Sequence, residues 1–168
     1  FWGKVGDEQS IATIQAALDA GITTIDTAPA YGRGHSEELI GKAIKGRRRE
    51  DIILATKVGI DIHHNKEHIC TPETIAQEIE ESLQRLGTDY IDLYQVHWPD
   101  LHTPMEETFT ALNKVRESGK ARYIGVSNFS PEQMDEAAKY CPIVSAQPPY
   151  SLLKREIEKD VLPYCIEH

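Results

Sequence analysis

Apolar residues recur along this chain in two alternating rhythms. Across residues 7–20 (DEQSIATIQAALDA) they fall at helical spacing, with Asp7 placed to cap the start and Gly21 to stop the helix. A short strand, TTIDT, follows. HSEELIGKAIKG then reads as a helix capped by Ser36, with Glu37 and Glu38 suited to the positive end of the helix dipole. DIILATKV is an almost unbroken apolar run, as in a strand covered on both faces. TPETIAQEIEESLQRLG is the clearest helix, with Thr71 as cap, Pro72 in the first turn and Gly87 at the end. Beyond it come strand IDLYQVH, helix PMEETFTALNKVRESG, strand ARYIGVSN, helix SPEQMDEAAKY, strand IVSAQ and a helical stretch from Arg155 onward.

Strands and helices in strict alternation predict right-handed βαβ units and an all-parallel α/β sheet. An open doubly wound sheet and a (β/α)8 barrel both satisfy that pattern. After the first strand the chain reads YGRGHSEE, which holds only half of a dinucleotide-binding fingerprint, and the next strand ends in Lys57 where a ribose-binding acid would be needed. The barrel is therefore the better fit.

The composition removes several classes of function. With 168 residues and 40% hydrophobic content the chain can build one core, and we expect one domain over residues 1–168. A net charge of -9 disfavours nucleic acid and anionic membranes as partners, since like charges repel. One basic run, Lys45-Gly46-Arg47-Arg48-Arg49, sits between a helix and a strand and reads as a solvated loop. Cys70, Cys141 and Cys165 are odd in number and widely spaced, which favours reduced thiols and neither a disulfide nor zinc. No apolar run reaches membrane-spanning length, and FWGKVGDEQS lacks the features of a signal peptide, so a cytoplasmic protein is expected.

Four reactive side chains lie at or just beyond the downstream ends of three successive strands: Asp26 and Tyr31, Lys57, and His97. In a parallel barrel those ends face one way, so an acid, a phenol, an amine and an imidazole converge. Reduction of a carbonyl places negative charge on its oxygen, which calls for a nearby proton donor. A free phenol titrates near about 10, and an adjacent ammonium favours its ionised form. Tyr31 beside Lys57 suits that role, with Asp26 holding the ammonium and His97 orienting the carbonyl or helping to relay the proton. Each residue alone reads equally well as structural, Asp26 and Lys57 as a buried ion pair, Tyr31 as a turn residue and His97 as a strand end. The cluster His63, His64 and His68 lies among polar residues without a second ligand set and reads as a solvated loop, so no metal is expected. Trp2 and Trp98 could line an apolar substrate pocket or pack in the core.

The segments GITTIDTAPAYGRGHSEELIGKAI, LATKV, SLQRLGTDYIDLYQVHWPD, GKARYIGVSNFSPEQM and AQPPYSLLKRE closely resemble the aldo-keto reductases, (β/α)8 enzymes that use a nicotinamide cofactor. The resemblance covers nearly the whole chain. It implies that Asp26, Tyr31, Lys57 and His97 match the family's catalytic tetrad, and that Ser127, Asn128 and Gln147 match positions binding the nicotinamide carboxamide. Without it, Ser127 and Asn128 read as helix caps and Gln147 as a polar strand end. NADP(H) is the cofactor that the family's habit implies, with NAD(H) as the other choice, and an aldehyde, ketone or alcohol is the substrate.

Set against eight strands, the five found here correspond to about strands 2 to 6, with helices 1 to 6, so an incomplete barrel cut from a longer enzyme is expected. The resemblance places the aromatic residue that stacks on the nicotinamide, and the phosphate-binding loops, on later strands. Two other functions fit the same residues. One is a regulatory subunit on this fold, like the potassium-channel β subunits, although those relatives vary at the position of His97. The other is an aldolase using Lys57 as a Schiff base.

Overall fold

The structure is a computed structural model that describes residues 6–62 and 68–168. Among these, five strands, β1 (Thr24–Asp26), β2 (Ile53–Val58), β3 (Ile91–Val96), β4 (Ala121–Ser127) and β5 (Ile143–Gln147), form one sheet in sequential order with every neighbouring pair parallel. Six helices alternate with them: α1 (Asp7–Asp19), α2 (His35–Ile44), α3 (Pro72–Leu86), α4 (Met105–Glu117), α5 (Pro131–Ala138) and α6 (Val161–Glu167). This is a half-barrel, the expected incomplete (β/α)8 architecture.

The core lies between the sheet and the helices. Leu54 and Val58 of β2, Tyr94 and Val96 of β3, and Ile124 and Val126 of β4 pack there against Ile75, Ile79 and Leu86 of α3 and Phe109 and Leu112 of α4. Strand periodicity turns the alternate positions, among them Ile53, Lys57, Gln95, Tyr123, Gly125 and Ser127, to the opposite, inner face. Ile53 and Tyr123 remain about half exposed on that face, at 46% and 55%.

Local signals set most of the helix ends. Thr71 accepts a hydrogen bond from the Thr74 amide at 3.2 Å, with Pro72 in the first turn, and Gly87 closes α3 with a left-handed φ of 64°. Ser130 and Gln133 form a reciprocal capping box on α5. Two expected caps are different. Gly6, not Asp7, precedes α1, and Asp7 instead reaches His35 at 2.9 Å. Gly34, not Ser36, precedes α2, because Gly32, Arg33 and Gly34 turn the chain through three successive positive φ angles and the Ser36 hydroxyl pairs with that of Thr27 at 2.9 Å.

The basic run also departs from a uniformly solvated loop. Arg48 is exposed, but Arg47 is tied to Asp19 at 2.7 Å, and Arg49 is drawn inward to the Asp92 carboxylate at 2.7 Å and the Ile52 and Tyr90 carbonyls. The expected final helical stretch breaks into a 3-10 turn, Glu156–Lys159, and α6. Cys70 and Cys141 are buried free thiols, and no described helix is long and apolar enough to cross a membrane.

Candidate active site

β1 ends at Asp26, and Lys57 is the penultimate residue of the neighbouring β2. The Lys57 side chain is almost wholly buried, so its charge needs partners. Its Nζ donates to both Asp26 carboxylate oxygens at 2.9 and 2.8 Å and to the Thr27 carbonyl at 2.9 Å. The fourth neighbour is the Tyr31 hydroxyl, 3.5 Å away. Tyr31 is itself 43% exposed, so the buried ammonium touches a phenol that solvent and ligands can reach.

His97 follows β3 directly, and its backbone amide donates to the Val58 carbonyl at 3.0 Å. Its ring meets that of Tyr31 edge to face, with centroids 5.9 Å apart. Burial, then the Lys57 charge, pushes its proton affinity down to about 4, with a smaller lowering by His68 and an opposing pull from Asp26. At neutral pH the imidazole is therefore uncharged and able to donate one N–H.

The ends of β4 and β5 supply the other three expected residues. The Ser127 hydroxyl donates to the Gln147 carbonyl at 2.9 Å. Asn128, held at a left-handed φ of 62°, uses its amide nitrogen to donate to the His97 carbonyl and to Ser127 Oγ, both at 3.0 Å. Gln147 Nε2 lies 3.4 Å from Asp26 Oδ1, which joins this group to the first. With both Asn128 amide hydrogens engaged, its Oδ1 is the atom left to accept, and the Gln147 amide can both donate and accept. That donor set fits a primary carboxamide, the recognition group of a nicotinamide.

Trp98 is 41% exposed and stacks on His68, with ring centroids 5.7 Å apart and planes 10° from parallel. Trp2, His63 and His64 lie outside the described residues. His68 thus has an aromatic partner that the reading of it as a solvated loop residue did not foresee. Two further residues escaped that reading. Gln95 sits in register with Lys57, is 2% exposed, and leaves its Oε1 buried without a hydrogen-bond partner among the described residues. Asp100 joins the loops after β2 and β3, and its spacing to Thr103, an acid three residues before a hydroxyl, was the available signal.

A model of the Aldo/keto reductase family matches residues 1–168. The chain is 54% identical to an aldo-keto reductase, YhdN, of Bacillus subtilis over 98% of its length, which spans 50% of that protein. It is 38% identical to an NADH-specific methylglyoxal reductase of Escherichia coli, covering 97% of this chain and 54% of the other. An aldo-keto reductase from Klebsiella pneumoniae solved in complex with NADPH superposes with a TM-score of 0.86 at 36% identity, over 96% of this chain and 55% of that one. The chain spans about half the length of the curated relatives it matches.

Proposed function

Because the chain belongs to the aldo/keto reductase family, we propose that it carries the proton-transfer site of a nicotinamide-dependent enzyme that reduces aldehydes or ketones to alcohols, or runs the reverse reaction. The observation that carries this reading is the buried Lys57 ammonium, bonded to both oxygens of Asp26 and 3.5 Å from the accessible Tyr31 hydroxyl.

A bound nicotinamide cofactor supplies the hydride, which no side chain can provide. Tyr31 hands its proton to the carbonyl oxygen as charge develops there, and the Lys57 ammonium stabilises the phenolate left behind. Asp26 keeps Lys57 oriented and offsets the cost of burying its charge. Neutral His97 donates its N–H to the same oxygen and aligns the carbonyl against Tyr31. Ser127, Asn128 and Gln147 hold the carboxamide, and Trp98 lines the substrate side. The Klebsiella structure with NADPH supports NADP(H) as cofactor, and the NADH-specific relative supports NAD(H). Side-by-side oxidation of the two reduced cofactors decides between them.

The Lys57 ammonium directs its hydrogens to Asp26, Thr27 and Tyr31, an arrangement that disfavours a free amine nucleophile and so a Schiff-base aldolase. The deciding experiment is carbonyl-dependent loss of reduced-nicotinamide absorbance with the full-length protein and its Tyr31→Phe variant. The substitution removes one accessible hydroxyl and should leave stability within about 0.5 kcal/mol, while turnover falls about 10²–10⁴-fold. A variant that keeps most of its activity, or borohydride trapping of substrate on Lys57, refutes the reading.

A further inference from the structure

The loops that follow β2 and β3 meet beside His97, and a buried carboxylate fixes their contact. Asp100 is 8% exposed. Its Oδ2 accepts from the Cys70 amide at 2.8 Å and the Thr103 hydroxyl at 2.6 Å, and its Oδ1 from the His102 and Thr103 amides at 2.8 and 3.2 Å. Burial alone would raise the proton affinity of this group, but the four hydrogen bonds outweigh it and hold the carboxyl below its ordinary range. The clamp therefore stays charged at neutral pH.

The clamp is symmetric about the aromatic contact it supports. Two residues before Cys70 stands His68, two residues before Asp100 stands Trp98, and these two rings stack. The His68 side is fastened a second time, by an antiparallel bridge between Ile60 and His68 and by the Ile69 amide donating to the Gly59 carbonyl at 3.1 Å. On the other side Trp98 follows His97 with no intervening residue. His68 also lies within electrostatic reach of His97, whose proton affinity its charge helps to lower. An indole alone would offer a substrate an apolar face and one N–H donor, with no acceptor. The imidazole laid parallel to it adds ring nitrogens that can donate or accept a hydrogen bond at the rim of the site.

We propose that His68, stacked on Trp98 and held there by Asp100, is a specificity-determining residue that selects carbonyl substrates bearing a further hydroxyl or carbonyl oxygen. The inference rests on the reductase reading of the same site. It follows from how discrimination works, because a site built to hydrogen-bond a substrate oxygen disfavours the analogue that lacks it, whereas an apolar wall barely separates the two.

The test is the ratio of kcat/KM for glyceraldehyde to that for propanal, measured with the wild-type protein, His68→Phe and His68→Gln. His68 is exposed, so neither substitution threatens the core. Phenylalanine keeps the stack and loses the nitrogens, so KM for glyceraldehyde rises by about tenfold, the worth of one hydrogen bond, while propanal and both kcat values stay within about twofold. Glutamine restores a donor and an acceptor and recovers part of the loss. Equal effects on both aldehydes, or no effect on either, overturn the inference and leave the reductase reading intact. A wild-type protein that turns over neither aldehyde with either reduced cofactor overturns both.

Discussion

Replacing Glu78 by glutamine should stabilise this protein at alkaline pH and leave it unchanged in acid. Glu78 lies in α3 with its carboxylate turned inward, where Oε2 accepts from the Gly59 amide at 3.1 Å. Burial, the largest influence, pushes its proton affinity from 4.5 up to about 7; Glu81 and Asp61 add to the rise, and the Gly59 hydrogen bond and Arg85 oppose it. Between those two values the folded protein holds a proton that the unfolded chain releases. Stability is therefore fully present below pH 4.5 and is lost as pH climbs through about 7, by about 1.4 kcal/mol per unit and about 3 kcal/mol in all. Glutamine keeps the carbonyl acceptor for Gly59 and carries no charge, so that loss disappears. His97 imposes the reverse slope, because its depressed affinity makes the unfolded state the better proton binder between about 4 and 6.5, and stability falls as pH drops through that window. Both proteins share the His97 effect, which cancels in the difference. Urea unfolding at half-unit steps from pH 5 to 8.5 measures the gap between wild type and Glu78→Gln. We expect it to widen from about 0.8 kcal/mol at pH 5 to about 3 kcal/mol above pH 7.5. A gap that does not change with pH, or a variant less stable than wild type at pH 8, would refute the reasoning.

Two further substitutions probe how the sheet carries its helices and its inner face. Arg85→Met strands the Glu37 carboxylate, which is wholly buried and bonded otherwise to the Thr56 hydroxyl; the unpaired charge should cost about 3–5 kcal/mol, read as a fall in the urea midpoint with unchanged slope, and a loss below 1 kcal/mol would count against it. Gly125→Ala places a methyl group 3.0 Å from the Ser145 carbonyl, 3.1 Å from Ser145 Cβ and 3.2 Å from Gln95 Cγ, so the β4–β5 pairing must shift; we expect a loss of about 1–3 kcal/mol in thermal or urea unfolding, and an unshifted midpoint would show that β5 yields freely.

Much of the fold could be read from residue pattern because the signals were local. The apolar run of β2 has both kinds of neighbour, helices over Leu54 and Val58 and the buried Lys57 on the inner face, and a two-sided environment is what an unbroken run encodes. Thr71, Pro72 and Gly87 act through bonds and φ angles that span only a few residues, so sequence alone placed the limits of α3. Asp7 and Ser36 failed as caps for the opposite reason. Their side chains have partners far off in the chain or across a turn, His35 and Thr27, and a pattern of single residues carries no record of such competition. Arg49 is a third case, since its run of like charge suggested solvent while Asp92, 43 residues away, drew it in.

The site divides along the same line. Asp26, Tyr31, Lys57 and His97 were legible because parallel topology turns a position at a strand end into a position in space, and one sheet brings all four together whatever their function. The wall around them follows no such rule. His68 and Trp98 stack across two loops whose lengths no periodicity fixes, and their contact depends on an acid, Asp100, whose most telling partner is a backbone amide 30 residues away. Proton transfer needs a few groups at fixed strand ends, and the barrel supplies those as a matter of architecture. On the proposed reading, choice of substrate falls to loops that must be clamped one by one, so the residues assigned to the reaction and those assigned to selecting its substrate can change independently in the same chain.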